Sequence, residues 1–324
     1  MPTSVSFGLA GRRVWVAGHR GMVGSALIRR LARERCEVLT VGRETADLRR
    51  QAETERWIAE TRPDAIFLAA AKVGGILAND TYPADFLYDN LMIQANVLDA
   101  AHRAGVRKVM LLGSSCVYPK HAPQPITEDA LLAGALERTN EAYAVAKIAG
   151  LKLAQAYRRQ HGADFISAMP ANLYGPGDNF DLATSHALPA LIRKAHEAKE
   201  RGDDRLVVWG TGAVRREFLH VDDCADALVF LMQRYSGESH INVGSGEDVT
   251  IMELARLVCE VVGFDGRIVC DTTKPDGTPR KLMNGERLRA IGWAPTISLR
   301  AGIEQTYAWY LQQQGRSGSL RGVA

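Results

Sequence analysis

Short apolar runs of strand length alternate with longer helical patterns through the first two-thirds of the chain. The runs fall at 13–17, 37–41, 65–69, 108–112 and 165–169, and they are continuous rather than alternating, as expected of strands buried on both faces. Between them, helical spacing predicts a helix ending at Leu31 and others at 51–60, 83–104 and 141–160. Asn90 and Asn96 interrupt the third, either as surface polars or bonded to neighbouring backbone. Strictly alternating strands and helices predict an α/β fold, a Rossmann-type doubly wound parallel sheet.

Beyond residue 180 the pattern changes. A helix is expected at 186–199 and a strand at 206–209. Residues 217–221 and a helix from Asp222 are expected to return to the first unit, and further helices follow at 250–262, 284–291 and 298–311, with Pro275-Asp276-Gly277 as a turn. The expected division is a cofactor-binding domain over 1–180 with 217–245, and a smaller mixed α/β substrate lobe over 181–216 and 246–324. The tail from Gly315 is expected to fray.

Composition narrows the function classes. The 324 residues are 46% hydrophobic with a net charge of +3, enough for a large core and too balanced for nucleic acid or a membrane as the main partner. The small basic excess suits an anionic substrate. Five cysteines (Cys36, Cys116, Cys224, Cys259, Cys270) show no Cys-x-x-Cys spacing, which predicts reduced, mostly buried thiols and neither a disulfide framework nor a metal site. With no signal-like or membrane-length apolar run, a cytoplasmic protein is expected.

Three loops follow the strands in turn. After the first comes Gly18-His19-Arg20-Gly21-Met22-Val23-Gly24, with the G-x-x-G-x-x-G spacing of a dinucleotide site: a tight turn, close backbone approach to a pyrophosphate, and a helix N-terminus facing it. At the end of the second strand Gly42 stands where an NAD site has an acid. Arg43 follows and suits a 2′-phosphate, so NADPH is expected over NADH, with Glu44 close by. A further short strand is expected to bring Asp47 and Leu48 beside the adenine. The third strand delivers Ala70-Ala71-Lys72-Val73-Gly74-Gly75 to the same sheet edge, and the fourth delivers Gly113-Ser114-Ser115-Cys116-Val117-Tyr118-Pro119.

Tyr143 and Lys147 stand four residues apart, on one helix face. An ammonium near a phenol favours the phenolate, which is expected to lower the Tyr143 pKa towards a working value for proton exchange with a sugar oxygen. Ser114 is placed to hydrogen-bond a carbonyl beside the Tyr143 hydroxyl. Taken alone, Cys116 reads as a small buried hydrophobe and His186 as a hydrogen-bonded loop residue.

Glycine fingerprint, serine and Tyr-x-x-x-Lys in this order resemble the extended short-chain dehydrogenase/reductase superfamily. Within it, Ala69 to Ile76, Gly113 to Pro119, Met169 to Pro176, Arg216 to Asp223 and Lys274 to Lys281 are similar to the GDP-L-fucose synthase family. That resemblance implies NADP(H)-dependent epimerisation of GDP-4-keto-6-deoxy-D-mannose at C3 and C5, followed by reduction at C4. It assigns the reduction to Ser114, Tyr143 and Lys147 and the proton transfers to Cys116 and His186. Cofactor contacts are implied at Gly18 to Gly24, Arg43, Asp47, Leu48, Leu112, Gly113, Ser114, Ser115, Lys147, Pro170, Ala171, Asn172, Leu173 and His186. A GDP-sugar is implied at Lys194, Trp209, Arg216 and Asp276, and a homodimer through two long helices. The rivals are another nucleotide-sugar epimerase or reductase on this fold and a non-catalytic NADP sensor. Arg43 speaks against NAD-retaining epimerases, the thiol of Cys116 against dehydratases, and the full acid/base set against the sensor.

Overall fold

The computed structural model describes residues 6–182, 184–274 and 276–319; Ala183 and Pro275, within two of the quoted motifs, lie outside the described residues. In chain order the first unit contains β1 (Arg13–Ala17), α1 (Met22–Leu31), β2 (Glu37–Leu39), α2 (Gln51–Thr61), β3 (Ala65–Leu68), α3 (Ile76–Thr81), α4 (Pro83–Arg103), β4 (Lys108–Leu112), α5 (Glu141–His161) and β5 (Phe165–Pro170). The chain continues through β6 (Asn172–Tyr174), α6 (Ala187–Arg201), β7 (Arg205–Trp209), β8 (Arg215–His220), α7 (Val221–Arg234), β9 (Ile241–Val243), β10 (Asp248–Thr250), α8 (Ile251–Val262), β11 (Arg267–Asp271), β12 (Arg280–Lys281), α9 (Glu286–Ala290) and α10 (Leu299–Ser319).

Six strands form a parallel sheet in the order β2-β1-β3-β4-β5-β9. The continuous apolar runs follow from its two covered faces. Val14, Val16, Ala65, Phe67, Met110 and Leu112 point into one core with α1 and α7, while Trp15, Ala17, Ile66, Leu68, Val109 and Leu111 point into the other, with residues of α2, α4 and α5. Strand order reverses between β1 and β3, leaving a crevice at the carboxyl ends of the strands.

The smaller unit has its own core, built from α6, α8, α10 and β7. Its strands are short: β7 pairs with β11, and β8 pairs with β6, β10 and β12. Strand β8 therefore does not rejoin the six-stranded sheet; α7, directly after it, packs back on α1. Helix α8 starts on a reciprocal cap between Thr250 and Glu253 and stops at Gly263, whose φ of 74° closes the last turn.

Several local expectations are corrected. Strand β2 stops at Leu39, and no strand precedes Asp47. There the Asp47 carboxylate accepts from the backbone N–H of Arg49 and from its guanidinium at 2.6 Å, which folds a turn instead. A short helix, α3, was not anticipated. Asn90 and Asn96 are buried and bond to the backbone of Lys72 and Leu48, respectively. Only Cys224 and Cys259 are buried; Cys270 is exposed, and Cys36 and Cys116 lie between. Helix α10 continues past Gly315 to Ser319.

Candidate active site

The glycine loop fits a dinucleotide. Gly18 has a φ of 87°, and a Cβ there would come within 2.7 Å of the Ala70 backbone, so β1 and β3 can approach only with glycine at this position. A Cβ on Gly24 would lie 2.1 Å from the Gly18 carbonyl oxygen. Gly21 caps α1 without a side-chain bond, leaving first-turn N–H groups free to face a phosphate, and no acid occupies that turn. Met22 and Val23 pack against the sheet core, and His19 sits at the turn. Arg20 forms a bidentate ion pair with Glu44. That pair engages the acid that follows Arg43 in sequence and leaves Arg43 largely exposed, touching Asp47 at 3.4 Å.

Downstream, Gly113 packs so tightly on β5 that a Cβ would meet the Met169 sulfur. The Ala171 N–H donates to Val243, and the Asn172 amide donates to the Glu217 carbonyl at 2.8 Å, which ties the Pro170–Leu173 segment to both units. Leu48 and Leu173 are part of the apolar packing beneath these loops.

At the end of β4, Ser115–Val117 forms a 3-10 turn capped by the Ser114 side chain, which brings Ser114 Oγ to 2.8 Å from Cys116 Sγ. The next turn is anchored from below by Tyr118, whose buried hydroxyl bonds Asn242 and His240. Tyr143 projects from α5 beside Ser114, its ring meeting that of Phe86 edge-on. One turn on, buried Lys147 donates to the Leu112 carbonyl at 2.9 Å, with its ammonium 5.8 Å from the centre of the Tyr143 ring. Ser114, Cys116, Tyr143 and Lys147 therefore form one cluster.

The electrostatics of this cluster correct one expectation. Burial pushes the Tyr143 phenol well above its ordinary pKa, the neighbouring Cys116 adds to the rise, and the nearby Ser114 hydroxyl only partly opposes it. Burial also lowers Lys147 to about 8. Desolvation outweighs the attraction anticipated between the pair, so Tyr143 is a neutral phenol, a proton donor rather than a ready base.

His186 is the N-cap of α6. Its segment reaches the sheet edge because the Gly75 N–H donates to Thr184, with Gly75 too close to Ser185 for any side chain. His186 is exposed, yet protein around its ring lowers its pKa and favours the neutral imidazole.

The substrate candidates gather on the smaller unit. Exposed Trp209 lies between Lys194 and Lys274, whose ammonium groups are 4.9 and 5.5 Å from the ring centre. A neighbouring cavity of about 520 Å³ is lined by Lys194, Leu182 and the Leu206–Val207 strand edge, and contains none of the candidate catalytic residues. Both carboxylate oxygens of Asp276 are held by Thr211, closing the loop after Trp209. Arg216 is half-buried, its guanidinium bonds the carbonyl of Arg215, and burial lowers its pKa. Lys281, at the end of the Lys274–Lys281 block, is brought into register with Arg216 by the β8–β12 pairing.

The profile of the NAD dependent epimerase/dehydratase family matches residues 14–244. The chain belongs to this family. A GDP-L-fucose synthase of Sinorhizobium fredii is 60% identical over 299 residues, covering 92% of this chain and 95% of its own. Among solved structures, a GDP-L-fucose synthetase from Naegleria fowleri bound to NADP is 28% identical with a TM-score of 0.87, covering 97% of this chain and 98% of its own. A GDP-6-OMe-4-keto-L-xylo-heptose reductase from C. jejuni is 35% identical with a TM-score of 0.87, covering 94% and 98%. These similarities run through both units, not the cofactor end alone.

Proposed function

We propose that this enzyme converts GDP-4-keto-6-deoxy-D-mannose to GDP-L-fucose, with NADP(H) held by the glycine loop and Arg43. The observation that carries the reading is the thiol of Cys116, hydrogen-bonded to Ser114 at 2.8 Å beside Tyr143. Reduction of a ketone requires no thiol; proton exchange at the carbons flanking that ketone has a use for one. High identity to a GDP-L-fucose synthase along nearly the whole chain supports it.

Ser114 and the neutral Tyr143 phenol donate to the C4 carbonyl oxygen. These bonds strengthen as negative charge develops there, which acidifies the protons on C3 and C5. Cys116 and His186 exchange those protons on opposite faces of the ring; the lowered pKa of His186 keeps its imidazole able to accept one. NADP(H), which the Gly18–Gly24 loop, Arg43 and Lys147 would hold, would supply the hydride that C4 receives. Tyr143 then delivers its proton to the C4 oxygen, while Lys147, fixed by Leu112, orients the phenol and the ribose.

In this reading the six-stranded unit, over 1–180 with 217–245, holds the cofactor, and the smaller lobe holds the nucleotide. Lys194, Trp209 and Arg216 grip the GDP end, and Asp276 shapes that grip through Thr211. The enzyme is cytoplasmic and works as a homodimer across α4 and α5, where Tyr88 and Val145 are exposed apolar groups. No helix among the described residues is long and apolar enough to cross a membrane.

The test is NADPH oxidation by the purified protein with GDP-4-keto-6-deoxy-D-mannose and identification of the sugar formed. Stoichiometric oxidation yielding GDP-L-fucose is expected. Reduction without inversion would place the enzyme with simple C4 reductases, and bound NADPH with no turnover would point to another nucleotide sugar.

A further inference from the structure

The acid that an NAD site carries past its second strand is missing at residue 42, yet a carboxylate stands there. Position 42 is glycine, and the chain turns at once: the Thr45 and Ala46 N–H groups both donate to the Gly42 carbonyl at 3.0 Å. This turn folds Glu44 back over the strand end. Its carboxylate fills the space that a side chain on residue 42 would take, since a Cβ on Gly42 would lie 2.0 Å from Glu44 Oε1. Across the opening, Arg20 of the glycine loop holds both carboxylate oxygens, at 2.5 and 3.0 Å. The pair therefore joins the two segments that flank the adenosine ribose in a Rossmann-type site.

Two kinds of ribose meet this pair differently. A 2′-hydroxyl is a donor and an ionised carboxylate only accepts, so Glu44 suits the ribose of NADH. A 2′-phosphate repels that carboxylate and offers the guanidinium a more highly charged partner in its place. The exchange is easy, because the side chains of Arg20 and Glu44 are 67% and 60% exposed, and an ion pair so open to water is weak. Arg43 can join it: Asp47, its neighbour at 3.4 Å, is held more closely by Arg49 at 2.6 Å.

We propose that Glu44 is a specificity-determining residue for the dinucleotide: its carboxylate accepts from the 2′-hydroxyl of NADH, and for NADPH it releases Arg20 to the 2′-phosphate beside Arg43. The enzyme thus takes both cofactors, and Glu44 narrows the margin by which NADPH is preferred. The inference rests on the reading of Gly18 to Gly24 and Arg43 as the NADP(H) site and is independent of which GDP-sugar is turned over.

Dissociation constants for NADPH and NADH, from calorimetric titration of the purified protein at one fixed ionic strength, test it without turnover. The unaltered protein should bind both, NADPH the more tightly. Glu44→Gln should tighten NADPH and weaken NADH by up to about fivefold each, moving their ratio by roughly tenfold. Gly42→Ala should move the ratio the same way. Gly42 lies outside the left-handed backbone region, so alanine fits its backbone, and the added Cβ evicts the Glu44 carboxylate without deleting it. In the double variant the two changes should not add, because both act through one carboxylate. Absence of measurable NADH binding by the unaltered protein overturns the proposal, as does an unmoved ratio in Glu44→Gln, whether both constants hold or both shift together. A protein that binds neither dinucleotide would sink the cofactor site itself, and the proposal with it.

Discussion

The sheet edge and the smaller lobe contribute to one cleft by different physical means. At the sheet edge, Ser114, Cys116, Tyr143 and Lys147 lie within 34 residues of sequence, at the end of β4 and on one face of α5. Each is buried or half-buried, with Ser114 bonded to Cys116 and Lys147 to the Leu112 carbonyl. In the smaller lobe, Lys194, Trp209, Arg216 and Lys281 come from four elements, brought together by short strands pairing across the chain. The Lys194 ammonium lies over the Trp209 ring, and Arg216 has Asp276 as a nearby carboxylate. The first region is preorganised for chemistry on a small group of atoms. The second is a charged surface suited to an anionic handle, where binding energy is spread over several weak contacts.

The largest effects should follow from changes at the sheet edge. Tyr143→Phe removes the donor that burial keeps protonated, and a loss of about 10²–10⁴-fold in kcat is expected with NADPH affinity retained. Stopped-flow reduction together with cofactor titration checks this, and a parallel loss of binding would mean that the region is one packed unit rather than a proton-transfer centre. Cys116→Ser should lower solvent-deuterium incorporation at C3 and C5 by a similar factor. Reduction chemistry should survive in it, so unchanged deuterium incorporation would remove the thiol from the mechanism.

Smaller changes probe the cofactor loop. Gly24→Ala forces a Cβ to 2.1 Å from the Gly18 carbonyl. Overpacking of this kind costs about 1–3 kcal/mol, visible as a lowered Tm and weakened NADPH binding. Wild-type values for both would show that the loop relaxes more freely than its packing implies.

The Lys147 ammonium sharpens the comparison through pH. Its pKa is lowered to about 8, so a reaction that requires its charge should lose kcat/KM as pH rises through that value. Stability should move the other way. From about 8 up to the unfolded value near 10.4, the unfolded chain binds more protons at this group than the folded one, and its contribution to stability rises with pH. A pH–rate profile set beside denaturant midpoints at the same pH values would show the two opposing slopes.

The mildest effect is expected in the smaller lobe. Trp209→Ala removes a ring shared by two ammonium groups, an interaction of about 0.5–1 kcal/mol at an exposed site. KM should rise by up to roughly fivefold with kcat unchanged. A drop in kcat of comparable size would mean that the lobe orients the reacting ring as well as holding the nucleotide.

The sequence by itself determined the parallel sheet, the glycine loop after β1 and the Tyr143–Lys147 helix. Each depends on local periodicity, a continuous run for a doubly covered strand or a four-residue step along one helix face, and neither needs a distant partner. Tertiary structure alone decided the rest. It buried Tyr143 and Lys147 deeply enough that desolvation overcame their expected attraction. It also placed Lys281 in register with Arg216, 65 residues earlier in the chain, through the β8–β12 pairing. Desolvation and strand pairing depend on what the rest of the molecule brings alongside, and no spacing within a motif records that.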